Sequence, residues 1–307
     1  AIYCYIITLA LVCVIFIIFA MPFQFMLFGF VAVIVFFVYG NRLTMDWQRY
    51  SPETFTKRLF VTALVIRLVY VIFIYFYYID MTGQPHAYHP GDELAYQILA
   101  SSWREGGFEN MRATMSYEAL SDSGYAWWLG FVYLLFGNHV LVGRLVKCIV
   151  DAFSCVLIYN LAKRNFGENV GRIAAIFCLL MPNMWYYCGV TLKETEMAFL
   201  VILFAERSDL MLRSPKIKVV GVIIPVLCIL TMFTFRTALA GVMFAALAAG
   251  LIFTTVKQLQ LWKKIMYSMV FAVWMFLTVG VEIVQETQQI WEGRTTNQTE
   301  GYEWRSR

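Results

Sequence analysis

Long apolar runs separated by short polar segments dominate the hydrophobic pattern of the chain. Nine of these runs approach the ~20 residues that a helix needs to cross the ~30 Å hydrocarbon core of a bilayer. They lie at about 2–19, 22–39, 59–79, 139–162, 170–188, 191–206, 219–235, 237–256 and 265–284. The pattern therefore predicts an all-α polytopic membrane protein of about nine transmembrane helices, forming a single domain over residues 1–307.

Two further segments predict helices that lie on the membrane surface. The run "AWWLGFVYLLF" at 126–136 has only 11 residues, and as a helix it would measure ~16 Å, about half of the hydrocarbon core. We interpret it as a helix half-buried at the interface. The segment "LAYQILASSW", which follows Pro90 and Gly91, has the apolar spacing of a short amphipathic surface helix.

Composition and charge agree with a membrane protein and give its orientation. The chain is 61% hydrophobic and 14% charged, with a mean hydropathy of +0.67. Fourteen lysines and arginines lie in 40–58, 163–172, 207–218 and 257–264, whereas seven lie in 80–138, 189–193, Arg236 and the tail from 285. The positive-inside rule assigns the first group to the cytoplasm. Residues 80–138 then form the first large external loop, and the tail 285–307 is external.

The chain ends and the cysteines suggest no further function. The run at 2–19 lacks a basic leader, so we expect an uncleaved span rather than a secretory signal. The chain begins with Ala1 and ends in a polar stretch, as a processed or partial chain would. The seven cysteines lie in or beside apolar runs without a CxxC or Cys/His pattern, so we expect core residues and no disulfide framework or zinc site.

The candidate chemistry begins with two adjacent carboxylates in the first external loop. Asp92 and Glu93 precede the first surface helix, where the helix N-terminus favours the ionised form of an acid. Asp92 is therefore a candidate base, and the alternative is that it only caps the helix. We expect no cofactor and no metal. A divalent metal held by His86, His89 and the two acids is the alternative, although their spacing is irregular.

The order of several motifs resembles the N-terminal half of the GT-C glycosyltransferases. The motifs are "VIRLVYVIFIYFYYID", then "GDELAY", then "GYAWWLGFVYLLFG", then "GRLVKCIVDAFSCVLIYNLAKRNFG". The chain is most similar to the bacterial relatives of protein O-mannosyltransferases and of the lipid A aminoarabinose transferase. Asp92, Glu93 and Tyr96 match the Asp-Glu-x-x-Tyr motif of the family's first external loop. The resemblance covers residues 59 to about 206 and implies a GT-C type bundle.

This resemblance implies an inverting hexosyl- or pentosyltransferase of the bacterial cytoplasmic (inner) membrane. Its donor would be a polyprenyl-phosphate sugar, and its acceptor a hydroxyl or phosphate of a glycan, lipid or protein at the external face. Asp92 would be the general base, which must reach the acceptor hydroxyl, and Glu93 would support it. Glu194 would be the acid of the second external loop, in preference to Glu196; the alternative is that Glu194 caps the next span with Thr191.

The cation that binds the donor phosphate is less clearly marked. The family's Lys-Pro-Pro-like element is replaced here by "EALSDSGYAWW", which lacks both Lys and Pro. Lys193 and Arg236 are the candidate substitutes, Arg144 lies near the outer surface, and Tyr96 is a further candidate substrate contact. The planar fork of Arg suits phosphate oxygens, although Arg236 could instead be an interfacial anchor.

Charged residues inside the apolar runs are predicted to be structural. Arg67 should face protein, because an unpaired arginine costs ~3 kcal/mol at the centre of a span. Lys147 and Asp151 share one helix face and predict an ion pair. Two other functions stay open: a transporter, for which we find no internal repeat, and an oligosaccharide polymerase or ligase. No feature indicates a nucleic acid partner.

Overall fold

The fold was examined in a computed structural model, which describes residues 23–87, 91–117, 120–214 and 219–253 and the single positions 7, 269 and 273. Every element within these residues is a helix, so the all-α prediction is confirmed for them. The helices are α1 (Phe23–Trp47), α2 (Pro52–Thr82), α3 (Gly91–Tyr117), α4 (Leu120–Phe136), α5 (Val140–Phe166), α6 (Glu168–Leu180), α7 (Pro182–Cys188), α8 (Glu194–Arg213), α9 (Val219–Phe235) and α10 (Thr237–Phe253). The chain divides into two compact units, one of residues 1–119 and 123–206 and one of residues 120–122 and 207–307.

Helix α2 is the described helix that is long and apolar enough to cross a membrane. The Ser51 side chain caps it by accepting a hydrogen bond from the Thr54 N–H, and Pro52 takes the first position, where no N–H is needed. Gly83 ends it in the left-handed region, with φ 74°. Three shorter apolar helical segments cover Ser123–Phe136, Gly221–Phe235 and Thr237–Leu251. The predicted count of nine spans is thus not confirmed, and the runs 2–19 and 265–284 lie almost wholly outside the described residues.

The side chains of α2 are apolar on its exposed faces as well as on its buried one. The buried stripe recurs every four residues at Phe55, Leu59, Ala63, Arg67 and Val71. More than half of the surface of the large apolar residues Val61, Val65, Val69, Phe73 and Phe76 is exposed. A contiguous exposed apolar surface of this kind is stable against lipid and unfavourable in water.

The core of the first unit lies where α2, α5 and α6 meet. The three helices contribute Phe55, Leu59, Ala63, Ala152, Cys155, Tyr159, Ala175, Ile176, Cys178 and Leu179. The three alanines are fully buried, and small residues at such contacts allow helix backbones to approach closely. Cys148, Cys155, Cys178, Cys188 and Cys228 are free and buried, as predicted.

The prediction of one continuous span over 170–188 is wrong. Helix α6 ends at Leu180, Met181 is extended (φ −66°, ψ 114°), and α7 begins at Pro182. A proline removes one backbone N–H and disfavours the helical conformation of the residue before it, so the helix breaks there. The 13 residues of α6 measure only ~20 Å.

The predicted ion pair of Lys147 with Asp151 is also wrong. Asp151 pairs instead with Arg67, which reaches it from the facing helix α2, and both side chains are fully buried. The Arg67 guanidinium also donates to the Ala63 carbonyl at 3.3 Å. The expectation that Arg67 faces protein is confirmed, and Lys147 is free to bind elsewhere.

The two predicted surface helices are longer than the sequence pattern indicated. Helix α3 continues to Tyr117 across a break at Gly107, whose φ of 62° and ψ of −148° are outside the helical region. Helix α4 begins at Leu120, before the apolar run. It buries Tyr125, Leu129 and Tyr133 against protein, whereas Phe131, Leu134, Leu135 and Phe136 are exposed. Its predicted position at the membrane interface stays a prediction.

The second unit contains the helices α9 and α10, which pack against each other. A single non-helical residue, Arg236, joins them. Its N–H donates to the Met232 carbonyl at 2.7 Å, and its own carbonyl accepts from the N–H groups of Leu239 and Ala240. The Arg236 side chain is therefore exposed at a tight turn between two apolar helices.

Candidate functional site

Glu93 connects three segments of the first unit. Its carboxylate is only 3% exposed, and it accepts hydrogen bonds from the Thr191 N–H at 2.8 Å and the Ala87 N–H at 3.2 Å. His86 Nδ1 lies at 3.3 Å and Arg144 Nη2 at 3.7 Å. The start of α3 is thereby fixed to the loop before it and to the segment 189–193.

The partners of Glu93 determine its ionisation. Burial alone would raise the pKa of Glu93, but the hydrogen bond with His86, the charge of Arg144 and the two backbone N–H groups outweigh burial and lower it. A carboxylate whose charged form is stabilised in this way is a weak proton acceptor. Glu93 therefore has the properties of a positioning group.

Asp92 has a contrasting environment, although it is the adjacent residue. Its side chain is exposed in the first turn of α3, and within the described part of the chain no hydrogen bond to its carboxylate is formed. Neighbouring side chains on a helix point ~100° apart, so burial of Glu93 turns Asp92 outwards. Asp92 is thus free to meet a solute at the positive end of the helix.

The structure describes only part of the alternative metal-binding group. His89 lies outside the described residues, and His86 is buried against Glu93. Among the residues that the structure describes, no group of three His, Cys, Asp or Glu side chains could hold a metal ion.

Arg144 is buried and contacts both loops of the site. Its Nη2 donates to the Pro85 carbonyl at 2.6 Å, and its Nε to the Thr191 hydroxyl at 3.4 Å. The side chain is fully buried, so its described contacts are all with protein groups. Arg144 therefore joins the Pro85 loop to the segment 189–193.

Lys147, one turn further along α5, binds the same segment. Its ammonium group donates to the carbonyls of Val190, at 3.0 Å, and Leu192. It also lies 3.7 Å from a Glu196 carboxylate oxygen and 5.5 Å from the Tyr125 ring centre. The sequence pattern did not predict this role of Lys147. The spacing of Arg144 and Lys147, which puts both cations on one helix face, was the available signal.

The segment that these cations hold leads into the acidic start of α8. Glu194, its first residue, is half-buried, and its Oε2 is a buried atom without a hydrogen-bond partner among the described residues. Glu196 is buried and accepts a hydrogen bond from Trp128 Nε1 at 3.2 Å. Glu194 is thus the more accessible acid.

Lys193 and Tyr96 lie together in the first unit. The Lys193 ammonium is 6.0 Å from the Tyr96 ring centre. That ring packs edge-to-face on Tyr125 at 4.9 Å, which fixes its orientation. The structure therefore brings Glu93, Tyr96, Arg144, Lys193 and Glu194 into one unit, whereas Arg236 belongs to the other.

A comparison with protein families extends this picture. The family model described as dolichyl-phosphate-mannose-protein mannosyltransferase matches residues 124–281, just over half of the chain. The match begins after Asp92, Glu93 and Tyr96 and includes Arg144, Lys147, Lys193, Glu194 and Arg236. No curated protein and no solved structure matches the chain. With half of its length in that match, the chain belongs to the dolichyl-phosphate-mannose-protein mannosyltransferase family, whose members are integral membrane glycosyltransferases of the GT-C type.

Proposed function

We propose that this membrane glycosyltransferase moves a sugar from a polyprenyl-phosphate donor to an acceptor hydroxyl or phosphate, with inversion at the anomeric carbon. The observation that carries the proposal is the contrast between the two adjacent acids. Glu93 is buried and held by four groups, whereas Asp92 is exposed at a helix N-terminus. One carboxylate is available to a substrate, and its neighbour keeps the backbone beneath it in place.

The proposed reaction uses the exposed acid as the base. Asp92 accepts the proton of the acceptor hydroxyl while the acceptor oxygen forms a bond to the anomeric carbon. The bond from that carbon to the phosphate oxygen breaks on the opposite face, and the polyprenyl phosphate leaves as an anion. An acceptor phosphate is already ionised and would need no base.

Cations and an aromatic ring are needed to bind the donor. Lys193 supplies positive charge for the phosphate, with Arg236 as the alternative cation, and Tyr96, beside Lys193, supplies an aromatic face for the sugar. Arg144 is fully buried, so we assign it to positioning the Pro85 and Thr191 segments rather than to touching the donor. Glu194 is the second acid, available to a hydroxyl of the acceptor or the donor sugar.

The proposed location is the external face of the bacterial cytoplasmic membrane. The distribution of lysine and arginine along the chain supports it, since 80–138 and 189–193 are poor in positive charge. A polyprenyl-phosphate head group lies at this interface, and the exposed position of Asp92 suits an acceptor that arrives from water.

The decisive experiment measures transfer by the purified protein in detergent. Polyprenyl-phosphate mannose labelled in the sugar is offered beside the equivalent nucleotide sugar, with membrane extract as the source of acceptor and with EDTA in a parallel sample. We expect transfer from the lipid donor alone, unaffected by EDTA. Transfer from the nucleotide sugar, or of a whole glycan from a lipid-linked oligosaccharide, would refute the proposed donor and favour another class of transferase.

A further inference from the structure

Two exposed arginines converge on one tyrosine at the start of α2, far in the sequence from the candidate site. Arg49 Nη2 donates to the Tyr50 hydroxyl at 3.1 Å, and Arg58 Nη1 donates to the same oxygen at 2.9 Å. The Arg58 guanidinium also lies over the Tyr50 ring, 4.1 Å from its centre, and that of Arg49 lies 5.2 Å away. The cluster of Arg49, Tyr50 and Arg58 thus holds two like charges close together.

No acid neutralises these charges in the described part of the chain. Neither arginine forms an ion pair there, and the nearest acids in the sequence, Asp46 and Glu53, are exposed. Like charges at such a distance repel each other. Each guanidinium carries five N–H donors and gives only one of them to Tyr50, so several donors remain available for an anion between them.

The tyrosine is fixed from the interior of the protein. Its carbonyl accepts a hydrogen bond from Arg172 Nη2 at 2.7 Å. Arg172 is itself buried and bound to Glu168 at 2.7 Å. Burial raises the pKa of Glu168, but hydrogen bonds from Lys163, Tyr159 and Arg172 outweigh it and lower that pKa to about 2. The anchor of Tyr50 therefore stays charged under ordinary conditions.

An exposed apolar stripe runs along α2 from Arg58. Val61, Val65 and Val69 follow Arg58 at spacings of three, four and four residues, so all four side chains lie on one helix face. More than half of each valine is exposed. Helix α2 is the described helix with the length and apolarity of a membrane span. Its charged start is therefore at the level of a lipid head group, and the apolar stripe is at the level of the acyl chain.

We propose that Arg49, Tyr50 and Arg58 form a binding site for an anionic phospholipid. The phosphodiester bridges the two guanidinium groups, and one acyl chain lies along Val61, Val65 and Val69. The planar forks of the arginines match phosphate oxygens. The Tyr50 hydroxyl sets their separation.

The test is a titration of the detergent-solubilised protein with phosphatidylglycerol, followed by native mass spectrometry. The double variant Arg49→Gln with Arg58→Gln should lower the affinity for the first lipid about tenfold or more, because two charged hydrogen-bonding contacts are lost. The matched control, Arg42→Gln with Lys57→Gln, removes the same charge from exposed residues of the same segment. The affinity of this control for the first lipid should stay within about twofold of that of the parent. If surface potential alone attracted the lipid, both double variants would lose affinity equally.

Two further samples separate the geometry from the charge and the lipid from a free anion. Tyr50→Phe keeps both cations and removes the shared hydroxyl, so it should weaken lipid binding by about threefold to tenfold. No change in that variant would overturn the site as described. Inorganic phosphate at the lipid concentration should not displace phosphatidylglycerol, and full displacement would assign the cluster to a soluble anion instead.

Discussion

The Glu93 carboxylate accepts a hydrogen bond from the Thr191 backbone N–H at 2.8 Å, although the two residues are 98 positions apart. This bond joins the start of α3, which carries Asp92, to the segment that carries Lys193 and Glu194. If the two parts of the proposed site separated, the Glu93 carboxylate and the Thr191 N–H would lose their hydrogen bond. A buried polar group without a partner is energetically costly.

Glu93→Gln should destabilise the protein by about 2 to 4 kcal/mol, because one amide N–H₂ group would face donors and the Arg144 charge would lose its counterion. The pKa of Glu93 lies below its ordinary value of 4.5. Its contribution to stability is thus complete above that value and is lost as pH falls through the lower pKa of the folded protein. Thermal unfolding in detergent between about pH 6 and pH 3 measures both effects.

The control for Glu93 is Glu105→Gln, at an exposed position of the same helix. Its melting temperature should match that of the parent at every pH. Part of the parent's loss of stability below about pH 4.5 should be missing in Glu93→Gln, and an unchanged pH profile in that variant would contradict the assignment.

Lys147→Met should lower both stability and turnover. It removes the Lys147 hydrogen bonds to two carbonyls of the segment 190–192 and the cation paired with the buried Glu196, for which we expect a cost of about 3 kcal/mol. Because Lys147 acts through the position of Lys193 and Glu194, kcat should fall. The size of this reduction relative to the parent should depend on temperature. Steady-state kinetics with the lipid donor measure it.

A double variant distinguishes this role from general damage. Adding Glu196→Gln to Lys147→Met removes the uncompensated charge and should recover about 1 to 3 kcal/mol. Lys163→Met, on the same helix but partly exposed and paired with Glu168, should cost less than about 1 kcal/mol. Strict additivity of the two site changes would exclude a direct coupling of Lys147 with Glu196.

Helix α2 illustrates what the sequence predicts well. Its apolar run over 59–79 predicted the helix, and the described helix extends beyond that run, from Pro52 to Thr82. The Ser51 side chain caps its start, and Gly83 ends it in the left-handed region. The break at Pro182 was likewise present in the sequence, but the apolar character of the whole run concealed it.

The ionic partners could not be predicted in the same way. Arg67 and Asp151 are 84 positions apart, so their pairing depends on how α2 packs against α5. The acceptors of Lys147 are backbone carbonyls, which carry no residue signature. Spacing along one helix suggested Asp151 as its partner, and tertiary packing offered better acceptors.

Arg236→Ala should raise the KM for the lipid donor about tenfold, whereas Arg236→Lys should raise it less, because a charge remains but the planar fork is lost. The exposed turn position of Arg236 makes a large loss of stability unexpected. Arg213→Ala, another exposed arginine of the same unit, is the control. Equal and small effects of both Arg236 changes would leave it an interfacial anchor.

The two ends of α2 should lie on opposite sides of the membrane. Gln84→Cys and Gln48→Cys introduce exposed thiols just beyond its ends, and five native cysteines are buried. An impermeant maleimide added to intact cells should label the Gln84→Cys protein and should label Gln48→Cys only after permeabilisation. The reverse order of labelling would place the candidate site in the cytoplasm.

Asp92→Asn should abolish most of the transfer activity and leave the fold intact. Asn has the shape of Asp and a similar preference for the start of a helix, but it cannot accept the proton of the acceptor. General-base assistance contributes ~10² to 10⁴-fold in rate, about 3 to 5 kcal/mol of the barrier, whereas an interaction with the helix end contributes only ~1 kcal/mol to stability. We therefore expect kcat to fall at least about a hundredfold with a melting temperature close to that of the parent. Asp80→Asn, at an exposed position in the last turn of α2, should remain fully active. Turnover of Asp92→Asn within about threefold of the parent would show that Asp92 only stabilises the helix and would remove it from the catalytic mechanism.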